Sequence, residues 1–337
     1  MENPLESYTK IGVVGRGAFG VCYVYRKPRD HNGPPKKIIV KTISMEGYNG
    51  MEQEALKEEA RLLRSLWHPN IVGCEGYYMI KNELCILMNY AEGGSLHNLV
   101  VEQQGKFLPE KLIIYYFAQL AMALRFIHSK RILHRDLKTP NILMNRKKTI
   151  VMLGDFGISK QLSTITQASS LVGTPNYLSP EICEGQKYGP KADMWALGCV
   201  LFEMVELRRA FEGELPMIFK NITTSKPGLR VNKNMSKDVD QLIKYLLATD
   251  PKQRLDADQV VSYPCILRTC IDLSLDLGRV ENKEIEALVN ENIFTDNSTT
   301  KIPRSLPATL TFTQQSTLSA TQPTALLNRL YTIQGKH

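Results

Sequence analysis

The feature that most restricts the fold of this 337-residue chain is a change of hydrophobic period near residue 92. Before it, short runs read as strands: residues 8–15 and 21–26 alternate around a glycine turn, 37–43 form the next strand, and 84–88 are a further apolar strand. Asp30-His31-Asn32-Gly33-Pro34-Pro35 reads as a hairpin loop. Residues 51–66 interrupt the strands with a helical period carried by Ala55, Leu56, Leu62, Leu63 and Leu66. Glu92-Gly93-Gly94-Ser95 breaks the last strand, and from residue 95 to about 267 helices dominate. Residues 193–205 are apolar on nearly every face, which places that helix in the middle of a domain. Val239, Leu242, Ile243, Leu246 and Leu247 mark a later amphipathic helix. The expected class is α+β, with two lobes: a small β-rich one with one main helix, and a larger, mainly helical one.

Composition narrows the setting. A chain with 43% hydrophobic and 23% charged residues is ordinary for a globular protein, and its length allows two sizeable cores. Residues 112–127 are the best membrane candidate, but Gln119 and Arg125 interrupt them and they fall short of a span, so they read as a core helix. No secretory signal is read at the start. Seven cysteines without a CxxC pair fit scattered reduced thiols in a cytosolic protein. The formal charge of +8 is spread without a basic, aromatic-interleaved stripe, so nucleic acid is not the expected partner, and no membrane insertion is expected. After residue 281 acids and bases balance, and residues 298–324, rich in Ser, Thr, Gln and Pro, cannot build a core. Residues 281–337 therefore read as a disordered tail for docking or phosphorylation. Asn297-Ser298-Thr299 fits a glycosylation pattern that a cytosolic setting disfavours.

The chemistry concentrates in His134-Arg135-Asp136-Leu137-Lys138-Thr139-Pro140-Asn141 and Gly154-Asp155-Phe156-Gly157. Asp136 is a proton acceptor, Lys138 a cation for developing phosphate charge, and Asn141 and Asp155 are oxygen ligands of the kind Mg²⁺ prefers. Gly15-Arg16-Gly17-Ala18-Phe19-Gly20 precedes a strand-like run rather than a helix, so it reads as a hairpin cover over phosphates, not a dinucleotide-binding turn. Lys41 ends Ile38-Ile39-Val40-Lys41. Glu59, preferred by helical phase over Glu58, is expected to reach Lys41 and hold its ammonium against the α- and β-phosphates. Together these residues imply transfer of a phosphoryl group from ATP with Mg²⁺, or Mn²⁺, to a hydroxyl.

On these residues the chain resembles a eukaryotic protein kinase over residues 8–267, with lobes 8–87 and 92–267, a hinge at 88–91 and a short extension, 268–280, against the larger lobe. Lys138 and Thr139 match serine/threonine rather than tyrosine kinases. Gly173-Thr174-Pro175 with Ser179-Pro180-Glu181 looks like the end of an activation segment. The resemblance implies that Glu181 pairs with Arg254, that Asp193 braces the catalytic loop, and that Phe156, Gly157 and Thr174 are structural. It implies ATP contacts from Val14, Gly15, Gly17, Gly20, Cys22, Ile39, Lys41, Met88, Asn89, Ala91 and Leu143, the adenine being held by backbone at Asn89 and Ala91. Cys22, Ile39 and Asn89 replace commoner residues, as do Asn176 and Leu255. Within the superfamily the chain is similar to NIMA-related kinases, through GRGAFG, LHRDLKTPN, GDFGISK, LVGTP, ALGCVL and Arg209-Ala210-Phe211-Glu212. The subgroup meant carries an RCC1-like propeller in vertebrates, and no propeller repeats are present in these residues.

This resemblance implies protein substrates with Ser or Thr acceptors, an activating kinase or adaptor, and a cytoplasmic setting with ties to cytoskeleton, cilium or centrosome. Ser170, with Ser169 as the alternative, would carry an activating phosphate gripped by Arg135 and Lys160. Three rivals differ in class. A kinase-fold scaffold without strong catalysis predicts loss of Lys41, Asp136, Asn141 or Asp155, and all four are present. A dinucleotide oxidoreductase leaves the two catalytic motifs unexplained, and an adaptor role for the tail would be additional.

Overall fold

The computed structural model describes residues 5–17, 20–27, 36–156, 175–228 and 230–276. Its first layer is an antiparallel sheet of β1 (Thr9–Gly17), β2 (Gly20–Arg26), β3 (Lys37–Ser44), β4 (Cys74–Ile80) and β5 (Glu83–Asn89), in the order β1-β2-β3-β5-β4. β3 is central because both of its faces are covered. Ile38 and Val40 pack with Cys85 and Leu87 on one side, while Ile43 joins Leu84 and Ile86 on the other. That second face receives α1 (Gly50–Ser65) through Leu56, Ala60 and Leu63. Each such leucine contributes about 1.5–3 kcal/mol by leaving water. A capping box starts the helix: Glu52 N–H donates to Asn49 Oδ1 at 3.0 Å, and Asn49 N–H donates to the Glu52 carboxylate at 2.8 Å. Strand β4 is not evident in the sequence. A register shift between Cys74 and Gly76, with Tyr78 and Met79 both exposed, destroys its alternation.

The larger lobe holds α2 (Leu96–Glu102), α3 (Glu110–Ser129), the hairpin β6 (Ile142–Met144) and β7 (Val151–Leu153), and a short α4 (Pro180–Cys183). It continues with α5 (Pro190–Glu206), α6 (Leu215–Thr223), α7 (Lys237–Leu246), α8 (Ala257–Val261) and α9 (Pro264–Asp276). By length and composition α3 could cross a membrane, but it is largely buried and packs on α5, α8, α9 and β7. Its Arg125 pairs with Asp258 at 2.7 Å. α5 is buried around its whole circumference, and α7 crosses it where Gly198 has no side chain: a Cβ there would lie 2.7 Å from Leu246 Cβ.

The expected boundary at 267 falls inside α9, whose Ile266, Cys270 and Ser274 are all buried, so residues up to 276 continue a core helix. Residues 277–280 and 281–337 lie outside the described residues. The lobes meet through Asn70. Its Nδ2 donates to Gln119 Oε1 at 2.7 Å and to Val151 O at 2.9 Å, and its carbonyl accepts from Leu153 N at 2.8 Å.

Candidate active site

Between α3 and β6 the chain turns through His134 and Arg135, and Asp193 at the start of α5 holds that turn. Asp193 is fully buried. Its Oδ2 accepts from His134 N–H and from His128 Nε2, both at 2.9 Å. Its Oδ1 accepts from Arg135 N–H at 3.0 Å and from Tyr188 OH at 2.7 Å. Burial alone would raise the Asp193 pKa, but the hydrogen bonds from His128 and from the His134 backbone N–H leave it below the ordinary carboxylate value. These bonds compensate a backbone that is left-handed at Arg135, φ 64°.

His134 is also fully buried, and burial pushes its imidazole pKa down. Its Nε2 lies 3.1 Å from Gly154 O and its Nδ1 accepts from Asp136 N–H at 3.3 Å, the pattern of a neutral ring protonated on Nε2. Phe156 tilts against it, with ring centroids 4.8 Å apart.

This turn presents Asp136. Asn141 Nδ2 donates to both the backbone oxygen and Oδ2 of Asp136 at 2.8 Å, and Lys138 Nζ lies 2.9 Å from the same Oδ2. Asn141 Oδ1 is left without a partner among the described residues. Asp155 follows β7 in another left-handed conformation, φ 50°, and Lys41 Nζ bonds to its Oδ1, its Oδ2 having no partner among the described residues. Two hard oxygen donors suit a cation completed by phosphates and water, as Mg²⁺ commonly is. Among the described residues no group of three or more His, Cys, Asp or Glu could cage a metal alone.

The expected Lys41–Glu59 pair does not form; Lys41 is bonded to Asp155. One ammonium on a buried strand stem takes the carboxylate that projects across from β7. Glu59 is the inward-facing acid of α1 nonetheless, whereas Glu58 is exposed and bonds Arg61. Burial pushes the Glu59 pKa up to about 8, against the pull of Arg135 and Lys41.

The expected nucleotide contacts lie on one sheet face and its margins. Val14 and Gly15 are exposed on β1, and Gly17 ends that strand. Gly20 has φ 146°, and a side chain there would strike Thr42 O, so only glycine fits. Cys22 stands opposite Lys41 on β3, and Ile39 stands between Val24 and Met88. Burial pushes the Cys22 thiol up, Lys41 pulling it down and Asp155 adding to the rise. At the end of β5, Asn89 N–H donates to Gly73 O at 3.0 Å, whereas Ala91 N–H has no partner among the described residues. Leu143 lies on β6, paired with Met152. Gly157, Lys160, Ser169, Ser170 and Thr174 lie outside the described residues.

Below the site, Arg254 and Glu181 form a buried two-pronged pair at 2.7 and 3.0 Å, and the guanidinium covers the Trp195 ring at 5.1 Å. Asn176 donates to Phe211 O at 2.6 Å. The sequence reading missed His128, Tyr188 and Glu203. Of these only Glu203 left a signal, an acid inside an otherwise apolar helical run.

Comparison with known proteins fits this geometry. The protein kinase domain model matches residues 8–266. Serine/threonine-protein kinase nekl-2 of Caenorhabditis elegans is 45% identical over 285 residues, 82% of this chain and 79% of that protein. Serine/threonine-protein kinase Nek8 of Danio rerio is 39% identical, with 84% of this chain covered but 40% of that protein. Nek9 of Mus musculus is 34% identical, covering 90% of this chain and 29% of that protein. With a kinase model spanning most of its length and relatives of this identity, the chain belongs to the protein kinase family and, within it, to the NIMA-related serine/threonine kinases.

Proposed function

We propose that this chain transfers the γ-phosphate of ATP to Ser and Thr hydroxyls of protein substrates, with Asp136 as the base. The observation that carries the reading is the Asp136 carboxylate, aimed by Asn141 and flanked by Lys138, in the same site as Lys41 and Asp155. Asp136 accepts the hydroxyl proton as the oxygen attacks in line. Lys138 faces the negative charge of the group in transit, and Lys41 orients the α- and β-phosphates. Asn141 Oδ1 and Asp155 would hold Mg²⁺, which when bound neutralises phosphate charge; Mn²⁺ takes the same donors. Most of the acceleration comes from positioning and fixed charge.

The resting Lys41–Asp155 bond supports an activation step in which Glu59 takes Lys41 and releases Asp155 to the metal. Phosphorylation at Ser170, or at Ser169, with Arg135 and Lys160 as its cations, is the proposed trigger, delivered by another kinase or an adaptor. Family membership supports a cytoplasmic role near the cytoskeleton, cilium or centrosome.

The test is Asp136→Ala against wild type, assayed for transfer to a generic Ser/Thr-containing protein and for nucleotide affinity. Transfer is expected to fall by about 10²–10⁴-fold with nucleotide affinity retained. Wild-type-like transfer by the variant would refute the base assignment.

A further inference from the structure

Glu203 sits inside α5 with its side chain 3% exposed. The buried acids around it have cations or multiple donors: Glu181 has Arg254, Glu206 has Arg230, and Asp193 has four donors. Among the described residues, the hydrogen-bond donors to Glu203 are two hydroxyls. Thr139 Oγ1 donates to its Oε1 at 2.8 Å, and Tyr177 OH donates to its Oε2. The two hydroxyl oxygens are 3.1 Å apart, and His97 Nδ1 approaches Oε1 only to 3.5 Å. A buried carboxylate is a poor source of stability, so its placement here points to geometry instead.

What it holds is the underside of the transfer site. Thr139 opens the single turn that ends at Asn141, and Asn141 Nδ2 grips both the backbone oxygen and the carboxylate of Asp136. Tyr177 closes the turn Pro175–Tyr177, which leads into α4. Burial and the nearby Glu203 charge push the Tyr177 phenol up, so it remains a donor.

We infer that Glu203 is a positioning residue for phosphoryl transfer. Through Thr139 and Asn141 it aims the Asp136 carboxylate, and through Tyr177 it bolts that loop to the chain entering α4. This inference rests on the transfer reading given above. The Thr139 hydroxyl is the point to cut, because valine has the same shape without the donor.

The experiment compares wild type with Thr139→Val, Thr139→Ser and Tyr177→Phe. Each is measured for thermal melting, hydrogen–deuterium exchange across residues 134–141, and kcat with KM for ATP. Thr139→Val is expected to lower kcat about 10- to 100-fold while KM for ATP stays within about twofold. Its loop amides should exchange faster, and Thr139→Ser should restore both. Wild-type kcat and exchange in Thr139→Val, or a serine variant as impaired as the valine one, would overturn the inference. If the valine variant does not melt cooperatively, Tyr177→Phe carries the same expectation and the same refutation. Inactive wild-type protein would instead count against the transfer reading, and the exchange data would still decide whether Glu203 holds the loop.

Discussion

Replacing Asp193 with asparagine changes one oxygen to an amide nitrogen and leaves the shape alone. Asp193 accepts bonds from two backbone N–H groups, one phenol and one imidazole. Whichever way the amide turns, one of its ends meets two donors with a donor of its own. Each lost bond to a buried charged acceptor costs about 1.5–3 kcal/mol, so the variant should lose about 3–5 kcal/mol. For a domain of this size that lowers the melting temperature by about 10 °C. The left-handed Arg135 loses its anchor, and transfer activity should fall with stability.

The pH dependence gives an internal check. The folded pKa of Asp193 is depressed, so its contribution is complete above the ordinary carboxylate range and disappears as pH falls through the folded value. The gap between wild type and variant, read by urea titration, should therefore narrow in acid. A gap below about 1 kcal/mol at neutral pH, or one that stays constant into acid, would refute the reasoning.

Three further outcomes are expected. Glu59 keeps its proton up to about 8 when folded but to near 4.5 when unfolded, so it costs stability progressively as pH rises between those values. Glu59→Gln should flatten the melting temperature over that window, and an unchanged slope would contradict its burial. Arg254→Lys keeps the charge but loses the two-pronged bond to Glu181, and should cost about 2 kcal/mol in thermal melts. Gly198→Ala places a methyl against Leu246 Cβ, which cannot rotate away, and should cost about 1–3 kcal/mol; a neutral result would mean α5 and α7 can slide.

The outline of the fold was legible because period is a local property. β3 and β5 are short apolar runs, α1 and α3 repeat at helical spacing, and Gly93 and Gly94 punctuate them. β4 was illegible because its bulge and its exposed Tyr78 and Met79 erase the alternation. In the site, side chains of the same loop, such as Asp136, Lys138 and Asn141, could be grouped from their spacing alone. Partnerships across the chain could not. Lys41 chose Asp155 over Glu59, and no spacing rule pairs Thr139 with Glu203 or His128 with Asp193. Those choices depend on where α1 and α5 come to rest, which only packing decides.

The dependence of the 134–141 turn on Asp193 has a consequence for synthesis. A growing polypeptide that has emerged only as far as residue 189 already carries Lys41, Asp136, Lys138, Asn141 and Asp155. It lacks Asp193, which accepts the Arg135 N–H, and the helix bearing that acid has yet to leave the ribosome. Such a truncated chain is therefore expected to transfer no phosphate, and activity to appear only once the second half of the larger lobe is included.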